Sequence, residues 1–141
     1  MLGADVRDRV WLDAIPGGTD AIVVMEGVSM YLRREELLEL LASLAERFGG
    51  VALLMDCYTV FAAKASKYKN PVNEVGVSQL YGVDAPRELE RGNGLLFRRE
   101  HEMTPAELID KLPGGDRTFF ALLFAGGAAK KIYRLFEFGK A

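Results

Sequence analysis

The chain has 141 residues, half of them hydrophobic, and a formal net charge of −2 at neutral pH, so it has room for one domain with a sizeable core. An acidic balance with Lys and Arg scattered along the chain argues against nucleic acid or an anionic membrane as a partner. One cysteine, Cys57, excludes an internal disulfide and a cysteine-built metal cluster, and one histidine, His101, leaves little material for a histidine metal site or a Ser-His triad.

The single thiol suits a reducing compartment, Met1 to Asp5 lacks the basic and apolar regions of a signal peptide, and the apolar stretches are too short to span a bilayer. A cytoplasmic protein is expected.

In chain order, a short strand or turn is expected at Leu2 to Val6 and a one-turn helix near Arg9 to Ala14. After the Pro16-Gly17-Gly18 turn, the run Ala21-Ile22-Val23-Val24-Met25 reads as a fully buried, parallel-type strand, because it is short, apolar and without polar alternation. Leu37, Leu38, Leu41, Leu44, Ala45 and Phe48 form an apolar stripe that predicts a helix from Arg34 to Phe48. Gly49-Gly50 ends it, on the expectation of a left-handed glycine at the helix terminus.

Val51 to Met55 predicts a second buried strand, adjacent and parallel to the first, with the helix as the crossover between them. A helix from Thr59 to Lys69 should be broken at Asn70-Pro71, and Asp84-Ala85-Pro86 should cap a short helix through Arg91. Leu95 to Met103 reads as a strand and Thr104-Pro105-Ala106-Glu107 as a capping box opening a helix. Thr118 to Ala125 reads as helical, with Phe119, Phe120 and Phe124 expected in the core, and Gly126-Gly127 as its end. Lys130 to Phe138 alternates like a half-exposed antiparallel strand. Periodicity alone therefore supports an α/β fold.

Glu26-Gly27 follows the first strand directly, and Arg33-Arg34-Glu35-Glu36 opens the helix beyond. A carboxylate at the carboxyl end of a buried strand stands where open α/β sheets place their ligands. Glu26 reads either as a ligand contact or as an ionised loop residue facing water. Asp56, Cys57 and Tyr58 end the next strand at the same rim and are cleft candidates on geometry alone. Cys57 has no neighbouring base in sequence that would make it a nucleophile.

The segments Asp5-Val6-Arg7-Asp8, Trp11-Leu12, Glu26-Gly27 and Tyr31-Leu32, in this order, resemble the leucine carboxyl methyltransferase family, which includes O-methyltransferases of the tetracenomycin polyketide type. The resemblance implies a class I, Rossmann-like methyltransferase sheet of parallel strands with a final antiparallel strand, and S-adenosyl-L-methionine as cofactor. The family's glycine-rich loop and the acidic residue ending its second strand have no match here. Residues 1–141 are thus expected to be a partial methyltransferase domain, corresponding to a C-terminal half.

Methyl transfer needs a bound and oriented cofactor rather than a protein nucleophile, so no catalytic residue is assigned. The resemblance implies that Asp5 and Val6 hold the adenine, by a carboxylate acceptor and a backbone donor, and that Glu26 contacts the cationic cofactor. The plainer alternative for Asp5 is a solvated turn aspartate, with Arg7 and Asp8 pairing with each other or with solvent. Tyr31 and Tyr58 are the substrate-cleft candidates, although the Tyr31 ring would serve equally as an anchor for the helix entry. Lys64 to Tyr81 falls where the family builds part of its substrate cover, and reads otherwise as a solvated connection.

The expected partners are a small-molecule or peptide substrate methylated on a carboxyl or hydroxyl oxygen, and a second copy or a missing N-terminal half along the edge of Ala21 to Glu26. The alternative is a non-catalytic α/β module acting through protein contacts.

Overall fold

The computed structural model describes residues 2–66, 79–103, 105–123 and 131–140. A 3-10 helix, Arg9–Ala14, precedes strand β1 (Ala21–Met25), a one-turn 3-10 segment (Ser29–Tyr31) and helix α1 (Arg34–Arg47). Strand β2 (Val51–Tyr58), helix α2 (Val60–Ala65) and a 3-10 helix (Pro86–Glu90) follow. Strand β3 (Leu95–His101), helices α3 (Ala106–Ile109) and α4 (Gly114–Leu123) and strand β4 (Tyr133–Lys140) complete the order. The four strands form one sheet in the order β1-β2-β4-β3. β1 and β2 are parallel, from Ala21 beside Val51 to Met25 beside Met55, while β4 runs antiparallel to both β2 and β3. The α/β fold with parallel strands and a final antiparallel strand is therefore present.

The core gathers the apolar stripe of α1 and one face of the sheet. Leu37, Leu41 and Leu44 share a cluster with Leu53 and Met55 of β2, Leu95 of β3, and Phe136 and Phe138 of β4. Each such side chain contributes roughly 1.5–3 kcal/mol on burial, against the entropy of ordering it. The helix starts where the Glu36 carboxylate accepts the Arg33 backbone N–H at 2.8 Å and the Arg33 guanidinium at 2.9 Å. Arg33 holds the Glu36 carboxyl below its ordinary range, through hydrogen bonding first.

Its other end departs from expectation. Neither Gly49 nor Gly50 is left-handed, and Phe48 is already extended. The glycines serve close approach instead. A Cβ on Gly49 would lie 2.7 Å from the Gly18 carbonyl oxygen, and one on Gly50 would lie 2.7 Å from Asp20 Oδ1. Lys140 Nζ, at the end of β4, donates to the carbonyls of Ala45 and Phe48 at 2.8 Å each, so a cation from the last strand closes the helix C-terminus.

Several sequence expectations are corrected. β1 is buried on one face only: Met25 is buried, but Ile22 is 85% exposed and Val24 68%, since the cluster of Met30, Ala63 and Leu80 with Tyr58 and Tyr133 covers only the carboxyl end of that side of the sheet. The same strand lies at the sheet edge. β2, by contrast, ends at Tyr58 as expected, and β4 pairs with it from Gly139 beside Ala52 to Tyr133 beside Tyr58. Of the strand or turn expected at Leu2 to Val6 the turn is present, closed by the Asp8 N–H on the Asp5 carbonyl, whereas α4 begins at Gly114 with Phe119 exposed rather than in the core. Lys67 to Ser78, Thr104, Phe124 and Gly126-Gly127 lie outside the described residues.

Replacing Lys140 by methionine keeps much of the stem but removes both hydrogen bonds. We expect Lys140→Met to lower stability by about 1 kcal/mol, read as a drop in the urea midpoint at constant slope. An unchanged midpoint would show that water caps these carbonyls equally well.

Candidate functional site

The carboxyl ends of β1 and β2 meet at one buried carboxylate. Asp56 is only 3% exposed, and the Gly27 backbone N–H donates to its two oxygens at 3.0 and 2.8 Å. The Tyr133 hydroxyl, from the first residue of β4, donates to Asp56 Oδ2. The Ser29 hydroxyl donates to the Asp56 carbonyl and lies 3.5 Å from Cys57 Sγ. Gly27 adopts φ of 66°, a left-handed value that glycine tolerates and other residues rarely do, so the chain turns sharply out of β1 at this point.

Glu26 stands between the strand and this fastened glycine. It is exposed, and its side chain makes no hydrogen bond or ion pair among the described residues. A free carboxylate on a fixed backbone suits a cationic group arriving from solvent. Tyr58 packs edge-on against Tyr133, with ring centroids 5.3 Å apart and planes at 68°. Asp56 therefore links Tyr58 through Tyr133 to the Glu26-Gly27 corner. Tyr31 is 40% exposed in the one-turn segment between two buried neighbours, Met30 and Leu32.

The Asp5 segment is built differently. The Arg7 guanidinium donates to both Asp5 oxygens, with Nη2 to Oδ2 at 2.6 Å, and the Arg7 backbone N–H adds a third donor at 2.9 Å. These hydrogen bonds hold the Asp5 carboxyl down at about 2. Arg7 thus pairs with Asp5, whereas Asp8 caps the following 3-10 helix. Val6 packs on the main core beside Trp11, whose indole N–H reaches the Val6 carbonyl.

Beside the rim, a cleft of about 520 Å³ opens between α1, α2 and the 79–89 segment, lined by Ser29, Leu32, Lys64, Tyr81, Asp84 and Leu89 among others. Its walls are held by backbone pairing: Tyr81 N–H donates to Met30 O and Val83 N–H to Tyr58 O, both at 2.8 Å. Gly82 is pressed so close to Thr59 that a Cβ there would lie 2.4 Å from the Thr59 carbonyl. Asp84 Oδ1 accepts the first N–H of α2, from Val60, at 2.9 Å. Glu26, Tyr31 and Tyr58 do not line this cleft, and Lys64 and Tyr81 do.

Sequence reasoning named Asp56 only as one of three rim residues and missed Ser29 and Tyr133. The signal for Asp56 was an aspartate closing an otherwise apolar strand. For Tyr133 there was none, because 77 residues separate it from Asp56. His101 lies on β3, with Nε2 2.6 Å from Glu137 Oε2 beside an Arg99–Glu137 ion pair, a side-chain cluster on β3 and β4. Among the described residues no cluster of metal-ligating side chains occurs.

Cys57 is 1% exposed, and burial pushes its thiol up to about 11, with the Ser29 hydrogen bond opposing. Burial, and then the bond to Asp56, likewise raises the Tyr133 phenol well above its ordinary value. Both groups are therefore held neutral in the fold. An unfolded thiol ionises near 9.0, so stability is intact below that pH and falls as pH rises toward 11. We expect urea midpoints to decline over this window, less steeply in Cys57→Ala. A wild-type decline no steeper than that of the variant would show that Cys57 does not contribute.

No family model matches the chain. In sequence it is 32% identical over 110 residues to the tetracenomycin polyketide synthesis O-methyltransferase TcmP of Streptomyces glaucescens, which covers 77% of this chain and 41% of that relative. In structure it is similar to the magnesium protoporphyrin IX methyltransferase ChlM from Synechocystis PCC 6803 with bound SAH, at a TM-score of 0.52 and 13% identity. That match covers 99% of this chain and 50% of the other. The chain thus spans less than half the length of its polyketide O-methyltransferase relative, to which it is homologous over most of its own residues, and it has a Rossmann-like α/β methyltransferase fold.

Proposed function

We propose that this chain carries the C-terminal half of an S-adenosyl-L-methionine-dependent O-methyltransferase of the leucine carboxyl methyltransferase type. Its acceptor is a carboxyl or hydroxyl oxygen of a small molecule or peptide. The homology to a polyketide O-methyltransferase supports the reaction class. The observation that carries the site is Glu26, a free and exposed carboxylate at the carboxyl end of β1, set on a corner that Asp56 fastens.

The residues present fit such a cofactor in part. The bound cofactor supplies an activated methyl group and a sulfonium leaving group, so the chain has only to bind, orient and exclude water. Glu26 would balance the cofactor's positive charge. Asp5 is exposed with the Val6 amide beside it, but both its oxygens already accept from Arg7, so an adenine amine would have to take the place of part of that pairing. Tyr58 and Tyr31 would stand on the acceptor side, together with the cleft that Lys64 and Tyr81 line. The glycine-rich loop and acidic ribose ligand would come from the part of the relative that this chain does not match, which makes residues 1–141 a partial domain. The single buried thiol supports a reducing, cytoplasmic location.

Glu26→Gln keeps the shape and removes the charge. With the remainder of the site supplied, we expect cofactor affinity to fall by about ten- to a hundredfold, the equivalent of roughly 1.5–3 kcal/mol, with no change in the thermal melt. The chain alone should show negligible binding of S-adenosylmethionine by calorimetry. Micromolar affinity for the isolated chain would refute the half-site account.

A second reading, a module acting through protein contacts, is favoured by β1 itself, a sheet edge with Ile22 and Val24 exposed. Unpaired edge groups beside apolar side chains invite a further strand, from a second copy or from the missing half. We expect the chain to self-associate at high concentration by light scattering, and Val24→Lys to reduce this without lowering the melting temperature. A monomeric wild-type chain under these conditions would count against the open edge as a contact surface.

A further inference from the structure

We propose that Asp56 is a positioning residue whose carboxylate sets the conformation of the Glu26-Gly27 corner and, through Tyr133, the place of Tyr58; its functional part rests on the reading of Glu26 as a cofactor contact. Asp56 touches neither candidate ligand surface directly, being 3% exposed beneath the rim. It is nonetheless bonded both to the turn out of β1, through the Gly27 N–H on its two oxygens, and to the start of β4, through the Tyr133 hydroxyl.

A buried carboxylate is costly unless its lone pairs are taken up, and here every donor comes from a different segment than its own. Satisfying Asp56 therefore requires the corner and β4 to hold one relative position. Gly27, left-handed at φ of 66°, could adopt many other backbone angles, and the hydrogen bond to Asp56 removes that freedom. The Ser29 hydroxyl bonded to the Asp56 carbonyl fixes the next turn to the same strand. On the far side, Tyr133 presents its ring edge-on to Tyr58, so the acceptor-side ring is positioned from the same carboxylate. Cofactor-side charge and acceptor-side ring are thereby held at a set distance by one buried group.

Hydrogen exchange at the Gly27 amide decides the structural part on the chain as it stands. Asp56→Asn keeps the side-chain size but presents an amide to two donors, and exchange at Gly27 should accelerate by about tenfold or more while core amides keep their protection. Glu26→Gln should leave Gly27 protected. If Asp56→Asn fails to fold by thermal melt, Tyr133→Phe replaces it, since the ring and its contact with Tyr58 remain and one donor is lost. There the acceleration should be smaller, at about threefold. Unchanged Gly27 exchange in whichever variant folds overturns the proposal.

The functional part is read with S-adenosylhomocysteine as probe, with the remainder of the site supplied. Asp56→Asn should weaken binding by about tenfold, yet add nothing further in a Glu26→Gln background, because one residue acts through the other. Additive losses overturn the positioning role. If Glu26→Gln binds as wild type while Gly27 exchange still answers to Asp56→Asn, the cofactor reading of Glu26 falls and the fastening of the corner stands.

Discussion

Everything in this fold is registered on β2. It pairs in parallel with β1 on one side, over Val51 to Met55, and antiparallel with β4 on the other, over Ala52 to Tyr58. Its side chains at Leu53, Met55 and Cys57 are almost completely withdrawn from water, and Asp56 between the last two is buried as well. A strand that is covered toward α1 and flanked on both edges has no freedom of register, because a one-residue slip would send Leu53, Met55 and Cys57 to the opposite face. The apolar stripe of α1 and the phenylalanines of β4 fit only one such arrangement.

The two ends of the sheet use that rigidity differently. At the amino end of β1 and β2, glycines allow backbones to approach: Gly49 against Gly18 and Gly50 against Asp20. Lys140 then ties the C-terminus of α1 to the last strand. At the carboxyl end, polar groups replace close packing. Asp56 collects donors from the β1 corner and from β4, and Thr59 caps α2 while donating to the Lys131 carbonyl at 2.7 Å. An end held by directed hydrogen bonds can keep an exposed carboxylate and two aromatic rings in fixed relation without burying them. That is what a ligand rim requires. The Asp5–Arg7 pair, by contrast, lies on the surface, where ion pairs do little for stability.

The asymmetry of the sheet bears on function as much as the rim does. One face is filled by α1, while on the other Ile22 and Val24 stand open along the edge strand. A Rossmann-like sheet buries both faces under helices, and its parallel strands are correspondingly apolar throughout. The sequence of β1 is written for that environment. The chain spans 41% of its polyketide O-methyltransferase relative, and β1 stands at the edge of the four-stranded sheet.

What the sequence determined by itself were the elements whose information is local. The apolar run of β1, the stripe of α1 and the run of β2 each carry a period or a length that admits one reading, and all three form where expected. The place of Glu26 just beyond a strand was legible for the same reason, since the end of a strand is a local property and its glycine neighbour marks the turn. What only the tertiary structure decided were relations between distant residues. No local pattern shows that β4 is the strand that pairs with β2 out to Tyr58. Nor does one show that Gly49 and Gly50 serve close approach, because the groups they admit, Gly18 and Asp20, come from an earlier turn. Asp56 reads in sequence as one more polar residue at a rim. It becomes the hub of that rim only when folding brings it the amide of Gly27, 29 positions before it, and the hydroxyl of Tyr133, 77 positions after it. A buried carboxylate is satisfied by whatever the fold places beside it, and that is information no stretch of sequence contains.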